Sequence, residues 1–159
     1  MAQFFNAAEI ANAAVEIETR GQAFYLRVAN AAKSAEAKTF FEYFAGEEAK
    51  HKGLFEALAK RLGPMELPAW STKEEYADYL AALLDTHALF SGGLAEKLMA
   101  EAADESTAIR LAMSFEKDTI LFFMEMKELV PDSEKPFLDL CIHEERAHLK
   151  MLRGRLAKA

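Results

Sequence analysis

The chain has 159 residues, 52% hydrophobic and 28% charged, so it is long enough for one domain with a sizeable core and is composed like a folded globular protein. Its net charge of -7 leaves no basic surface for a phosphate backbone, so no nucleic-acid partner is expected. A single cysteine, Cys141, excludes an internal disulfide and any four-thiolate zinc or iron–sulfur site within these residues. The seven glycines are scattered and form no phosphate-cradling loop. The longest apolar runs fall far short of the roughly 18 residues of a membrane span. The N-terminus, Met1 to Asn6, lacks the basic region of a secretory signal, and a cytoplasmic location is the expectation.

Few breakers interrupt the chain, and they mark off long helices. The first is predicted over about 6–32 with Asn6 as N-cap, the second over about 35–62 with Ser34 as N-cap and Gly63-Pro64 as stop. Residues 63–72 read as a linker crossing to the other half of the protein. A helical stretch is predicted from about 74 to 103, interrupted near Ser91-Gly92-Gly93. The next helix covers about 106–130 and stops at Pro131. The last starts near Ser133, tolerates Pro136 in its first turn, and continues to about 157. No segment sustains a period of two, so the expected fold is all-α, a single domain over 1–159.

Stepping by threes and fours gives each long helix an apolar stripe with ionisable residues at mid-height. The first stripe is Ala11, Ala14, Glu18, Gly21, Tyr25 and Val28. The second is Ala37, Phe41, Phe44, Glu48, His51, Phe55, Leu58 and Leu62. The third is Ile109, Ala112, Glu116, Thr119, Phe123 and Met126, and the last is Leu138, Cys141, Glu145, His148 and Leu152. Four carboxylates at one buried level demand a cation, because a buried charge is costly unless it is paired or binds a metal.

The two halves also repeat each other. Glu18 is followed by Phe24-Tyr25 and Glu116 by Phe122-Phe123 at the same distance. Glu48-Ala-Lys-His51 answers Glu145-Arg-Ala-His148, each preceded by another glutamate, Glu47 and Glu144. Glu18 and Glu48 are 30 residues apart, Glu116 and Glu145 are 29 apart. With 20 glutamates and four histidines, roughly half a Glu-x-x-His is expected by chance, so the matched spacing and stripe placement carry the signal. Two similar helix pairs about a twofold axis would build a dinuclear site from Glu18, Glu48, His51, Glu116, Glu145 and His148. Carboxylates and imidazoles without thiolate suit iron or manganese better than structural zinc. His87 and His143 lack the motif and read as structural or surface residues. Cys141, Tyr25, Phe123 and the methionines Met113, Met124 and Met126 read as packing, with Tyr25 also placed to donate a hydrogen bond near the site.

The stretches Glu18-Thr-Arg-Gly-Gln-Ala-Phe-Tyr25, Glu48-Ala-Lys-His51, Glu116-Lys-Asp-Thr-Ile-Leu-Phe-Phe123 and Glu145-Arg-Ala-His148 resemble the rubrerythrin family, over essentially the whole chain. The resemblance implies a ferritin-like four-helix bundle with a long crossover, containing extra helix, between its second and third bundle helices. It implies two iron ions cycling between Fe2+ and Fe3+, with manganese or a mixed pair as other occupants, and with the six residues above as ligands. The implied reaction is reduction of hydrogen peroxide or oxygen under oxidative stress, in a homodimer. Two departures matter. Rubrerythrins proper carry a rubredoxin-like domain with four cysteines, so electrons here must come from an external donor such as a rubredoxin-like protein. They also carry a further glutamate one turn after the third-helix ligand, where this chain has Thr119; the remaining set of four Glu and two His is closer to bacterioferritin. A ferritin-like iron-binding or ferroxidase protein, and a non-catalytic metal-stabilised bundle, are the alternative readings.

Overall fold

The computed structural model describes residues 6–64, 67, 69, 71–90 and 104–159. Among them are five helices: α1 (Ala7–Ala31), α2 (Ala35–Ala59), α3 (Lys73–Thr86), α4 (Glu105–Lys127) and α5 (Lys135–Leu156), with no strand. None of these helices is long and apolar enough to cross a membrane.

Local chemistry sets the starts. The Asn6 side chain accepts from the Glu9 amide at 2.9 Å while the Glu9 carboxylate accepts from the Asn6 amide at 3.0 Å, a reciprocal capping box. Thr72 and Glu75 make the same exchange at the start of α3. Ser34 caps α2 and Asp104 caps α4, through the amides of Ala37 and Thr107. α5 begins at Lys135, with Pro136 in its first turn and no side-chain cap.

The ends fall earlier than the apolar pattern suggests. α2 stops at Ala59 and α4 at Lys127, because the last amides turn to carbonyls three residues back: Arg61 to Leu58 at 2.9 Å, Glu128 to Glu125 and Leu129 to Met126 at 3.0 Å. Pro64 and Pro131 follow these tightened turns and prevent the helices from resuming. The helix predicted from 74 stops at Thr86, where His87 turns to an extended backbone angle. Two side chains take the amides that would continue it: Asp118 accepts from Ala88 at 3.0 Å and the His87 ring accepts from Leu89 at 3.2 Å. Residues 91–103, the remainder of that predicted segment, lie outside the described residues.

α1 packs chiefly on α2 and α4 chiefly on α5, while α3 lies against α4. Nearly every residue of the four stripes is buried; Leu62, beyond the end of α2, is half-buried. Met126 is buried as packing, whereas Met124 faces solvent. The core divides into two apolar clusters. One holds Ile10 and Ile17 of α1, Phe55 and Leu58 of α2, Phe122 and Met126 of α4 and Leu138 of α5, closed by Tyr76, Leu80 and Leu84 of α3. The other holds Phe24, Tyr25, Phe41, Phe44, Phe115 and Leu152.

The order of these residues along each helix gives its direction. α1 and α5 run from the first cluster to the second, α2 and α4 from the second to the first. α2 and α4 are therefore parallel, and α3 comes between them in the chain. Between the clusters, at the middle of every bundle helix, lie the buried polar residues Glu18, Glu48, His51, Glu116, Thr119, Glu145 and His148. The apolar clusters anchor this layer from both sides. Phe55, fully buried with its ring 4.7 Å from that of Phe123, is central to the first. Replacing it with alanine is expected to cost about 3–5 kcal/mol in urea unfolding of the metal-free protein.

Candidate metal centre

All six residues singled out by the repeat converge in this layer. One ligand atom from each of Glu48, Glu116, Glu145 and His148 falls within a cluster whose atoms lie within 4.8 Å of one another. Glu18, His51 and Glu145 form a second such cluster, so Glu145 belongs to both. The two imidazoles face each other with centroids 5.9 Å apart. All six side chains are at most 3% exposed.

Hydrogen bonds orient the set. Nδ1 of His148 lies 2.9 Å from Oε2 of Glu145. Nδ1 of His51 approaches Oε1 of Glu145 to 2.7 Å, yet without the direction of a hydrogen bond. The outward Nε2 of His51 meets Glu144 at 2.7 Å, and the outward Nε2 of His148 faces Glu47 at 3.8 Å. His51 is thus held from behind by Glu144, the glutamate that precedes the other half's motif, an arrangement that fixes an imidazole and strengthens it as a donor to metal, while Glu47 stands at a longer distance behind His148. The sequence carried this signal in the repeated Glu-Glu, but spacing alone did not pair Glu144 with His51. Tyr25 is buried in the aromatic cluster and donates its hydroxyl to Oε1 of Glu116 at 2.5 Å.

His87, one of the two histidines outside the motif, is buried at the end of α3, its Nε2 3.0 Å from Oγ1 of Thr119. Burial, and next the nearby Arg20 charge, lower its pKa to about 4, so it stays neutral. His143 is exposed and Cys141 is core, as their places on the stripes imply.

Among the described residues, five buried side-chain polar atoms have no hydrogen-bond partner: both carboxylate oxygens of Glu18, Oε1 of Glu48, Nδ1 of His51 and Oε1 of Glu145. Ionised carboxylates only accept, so what these oxygens lack is a positive charge and not one more acceptor. The residues therefore fit a pair of cations, and the donor set of four carboxylates and two imidazoles suits iron or manganese. Room for the set is made by Gly21. A Cβ there would lie 2.6 Å from Oε2 of Glu48.

The metal-free electrostatics carry the same message. Burial, then the charge of Glu145, raises Glu18 to about 8. Burial and neighbouring carboxylates likewise push Glu48 and Glu116 well above the usual carboxylate range. Burial also opposes the charge of Glu145, but contact with His148 and His51 outweighs it and holds that carboxyl at about 2. Burial disfavours a charged His51, yet Glu145, Glu18 and Glu144 together raise it to about 9.

A family model for rubrerythrin matches residues 9–156. The chain belongs to the rubrerythrin family. No curated protein matches it at a significant level. Among solved structures, a Thermotoga maritima protein described as ferritin-like and diiron-carboxylate aligns with a TM-score of 0.71 at 20% identity, covering 99% of this chain and 98% of that one. At that identity the match establishes a shared fold. A rubrerythrin with the buried Glu and His cluster described above has a centre compatible with two iron ions.

Two outcomes follow for this rubrerythrin. Above about pH 6.5 the metal-free folded chain binds more protons than the unfolded one, through Glu18 up to about 8 and His51 up to about 9, whereas between about 4 and 6.5 the neutral His87 offsets the extra proton on Glu18. Its stability is therefore expected to fall as pH rises from about 6.5 to 9. It should also fall below pH 4.5, where Glu145, at about 2, has released its proton in the folded chain but not in the unfolded one. Denaturant unfolding of chelated protein across pH 3–9 measures both limbs. Separately, Gly21→Ala should leave metal-free stability equal or up to about 1 kcal/mol higher, by helix propensity, because the flexible Glu48 carboxylate can move aside. The same change should lower bound metal, read by plasma mass spectrometry beside a melting curve.

Proposed function

We propose that this protein is a non-haem di-iron oxidoreductase that reduces hydrogen peroxide or oxygen, taking electrons from a separate donor protein. In this reading Glu18, Glu48, His51, Glu116, Glu145 and His148 are the metal ligands. The observation that carries it is the convergence of two ligand clusters, sharing Glu145, around carboxylate oxygens that no donor satisfies. Two ferrous ions held there supply, together, the two electrons that cleavage of a peroxide bond requires.

The chain's own groups do the rest. Glu145, anionic even without metal, is placed to serve both positions, while His51 and His148 each complete one. Glu144 holds the His51 imidazole in place from outside, and Glu47 faces that of His148 at 3.8 Å. Tyr25 keeps a donor on Glu116 and so fixes which oxygen of that carboxylate faces inward. The aromatic and aliphatic clusters on either side exclude bulk water from the layer. With one cysteine in these 159 residues, no thiolate-bound electron carrier can form within them, and an external donor such as a rubredoxin-like protein is assigned to that task.

One feature favours a second reading, ferritin-like oxidation of Fe(II) for iron handling. Thr119 stands where a further glutamate would enlarge the ligand set, leaving the smaller Glu4His2 complement. Sizing separates the two: a homodimer accords with the oxidoreductase, a 24-subunit particle with storage.

Protein purified without added metal or affinity-tag nickel is expected to hold about two irons per chain. It should develop a near-ultraviolet band on peroxide addition and consume peroxide steadily with an added reductant. Absence of iron after anaerobic Fe(II) loading would overturn the assignment, and manganese in its place would redirect it. Glu48→Ala should lower metal content and, in the metal-loaded protein, the melting temperature, since metal binding adds directly to folding stability.

A further inference from the structure

The twofold relation between the halves breaks at one buried position beside the ligands. Gly21 follows Glu18 by three residues and Thr119 follows Glu116 by three, so the two occupy equivalent places one helical turn from the ligand glutamates. On the α1 side the place is closed: a single carbon added at Gly21 would strike the Glu48 carboxylate. On the α4 side the same register holds a buried hydroxyl.

That hydroxyl is not used as the mid-helix and end-of-helix hydroxyls of Thr19 and Thr86 are. Thr19 and Thr86 each turn back to the carbonyl four residues earlier, both at 2.7 Å. Thr119 is paired instead with His87, from a different helix, at 3.0 Å. The tautomer of His87 follows from its other nitrogen. Nδ1 accepts from the Leu89 amide at 3.2 Å, so in the neutral ring the proton is on Nε2, and Nε2 donates to Thr119. A hydroxyl that accepts from the ring keeps its own hydrogen to give.

The surroundings hold His87 in place. Asp118 accepts from the Ala88 amide at 3.0 Å, and Arg20 donates to the Leu89 carbonyl at 3.2 Å while stacking 4.0 Å over the Phe90 ring. The turn after α3 is thereby clamped to α4 and to α1 at the level of the polar layer.

We propose that Thr119 is a binding residue for a small anionic or peroxidic ligand on its side of the dimetal centre, and that His87 is the positioning residue that aims the Thr119 hydroxyl proton at that ligand. The proposal rests on the di-iron reading above. It assigns the pair the role of a directed hydrogen-bond donor in a layer otherwise rich in acceptors. Electrons and metal are supplied as before, and no bond of the chain is made or broken.

Azide is the probe, titrated against the ferric, iron-loaded protein and followed by its charge-transfer absorption. Iron content is measured first, and Thr119→Val, Thr119→Ser and His87→Phe are all expected to retain it, because none removes a ligand. Thr119→Ser should bind azide like the parent, Thr119→Val about ten-fold more weakly, and His87→Phe about three-fold more weakly. Unchanged affinity in Thr119→Val overturns the proposal, and weakening in that variant alone removes His87 from it. A parent protein without iron overturns the di-iron reading itself, which keeps the two failures apart. Nitrogen chemical shifts in the metal-free protein give an independent readout: His87 should carry its proton on Nε2, and a proton on Nδ1 overturns the pairing whatever metal is bound.

Discussion

Four carboxylates are buried at one level of a bundle 25 residues long in its longest helices, and most of this structure can be understood as the accommodation of that fact. Ionised carboxylates without partners in an apolar interior are strongly unfavourable, and so are carboxylates crowded against one another. Without metal the chain can relieve the strain only by protonation, which is why Glu18, Glu48 and Glu116 are all shifted upward by burial first and by neighbouring charge second. A pair of cations removes both penalties at once. The two apolar clusters supply the folding stability that the layer does not.

The approximate twofold explains how one site can be made from two similar halves, and the departures from it mark where the halves have taken different tasks. Tyr25 and Phe123 are equivalent in sequence, but Tyr25 reaches across to Glu116 while Phe123 packs on Phe55. His51 and His148 are equivalent, but the glutamate behind His51 is 2.7 Å away and the one behind His148 is 3.8 Å away. Gly21 makes room for the Glu48 carboxylate where Thr119 supplies a hydroxyl. Each difference lies within or beside the layer. The two Glu and His clusters are consequently not chemically identical, since their imidazoles differ in outer support and Glu116, unlike Glu18, bears a tyrosine donor.

Relatives of low identity can share this architecture because the constraint acts on few positions. The Thermotoga maritima neighbour matches nearly the full length at 20% identity. What a ferritin-like bundle requires elsewhere is apolar residues of workable volume at the stripe positions, a demand many sequences meet. Family membership therefore fixes the bundle and its carboxylate-rich centre, while the reaction depends on the few side chains that face that centre.

The sequence by itself determined the four bundle helices, their inward faces and the six residues of the centre. Periodicity and repeat are local or pairwise properties: apolar residues recur every three or four positions, and Glu48, His51, Glu145 and His148 repeat at matching offsets. Asn6 and Ser34 could be read as caps for the same reason, since a cap is a contact within four residues. Only the tertiary structure decided where α3 ends, because Thr86 is followed by a turn held by Asp118, Arg20 and the His87 ring and not by a local breaker. It alone paired Glu144 with His51 and Glu47 with His148, and it alone brought His87 to Thr119 across 32 residues. The physical reason is the same in each case. A periodic face records which way a side chain points, whereas a hydrogen bond between distant elements depends on how helices are set against each other.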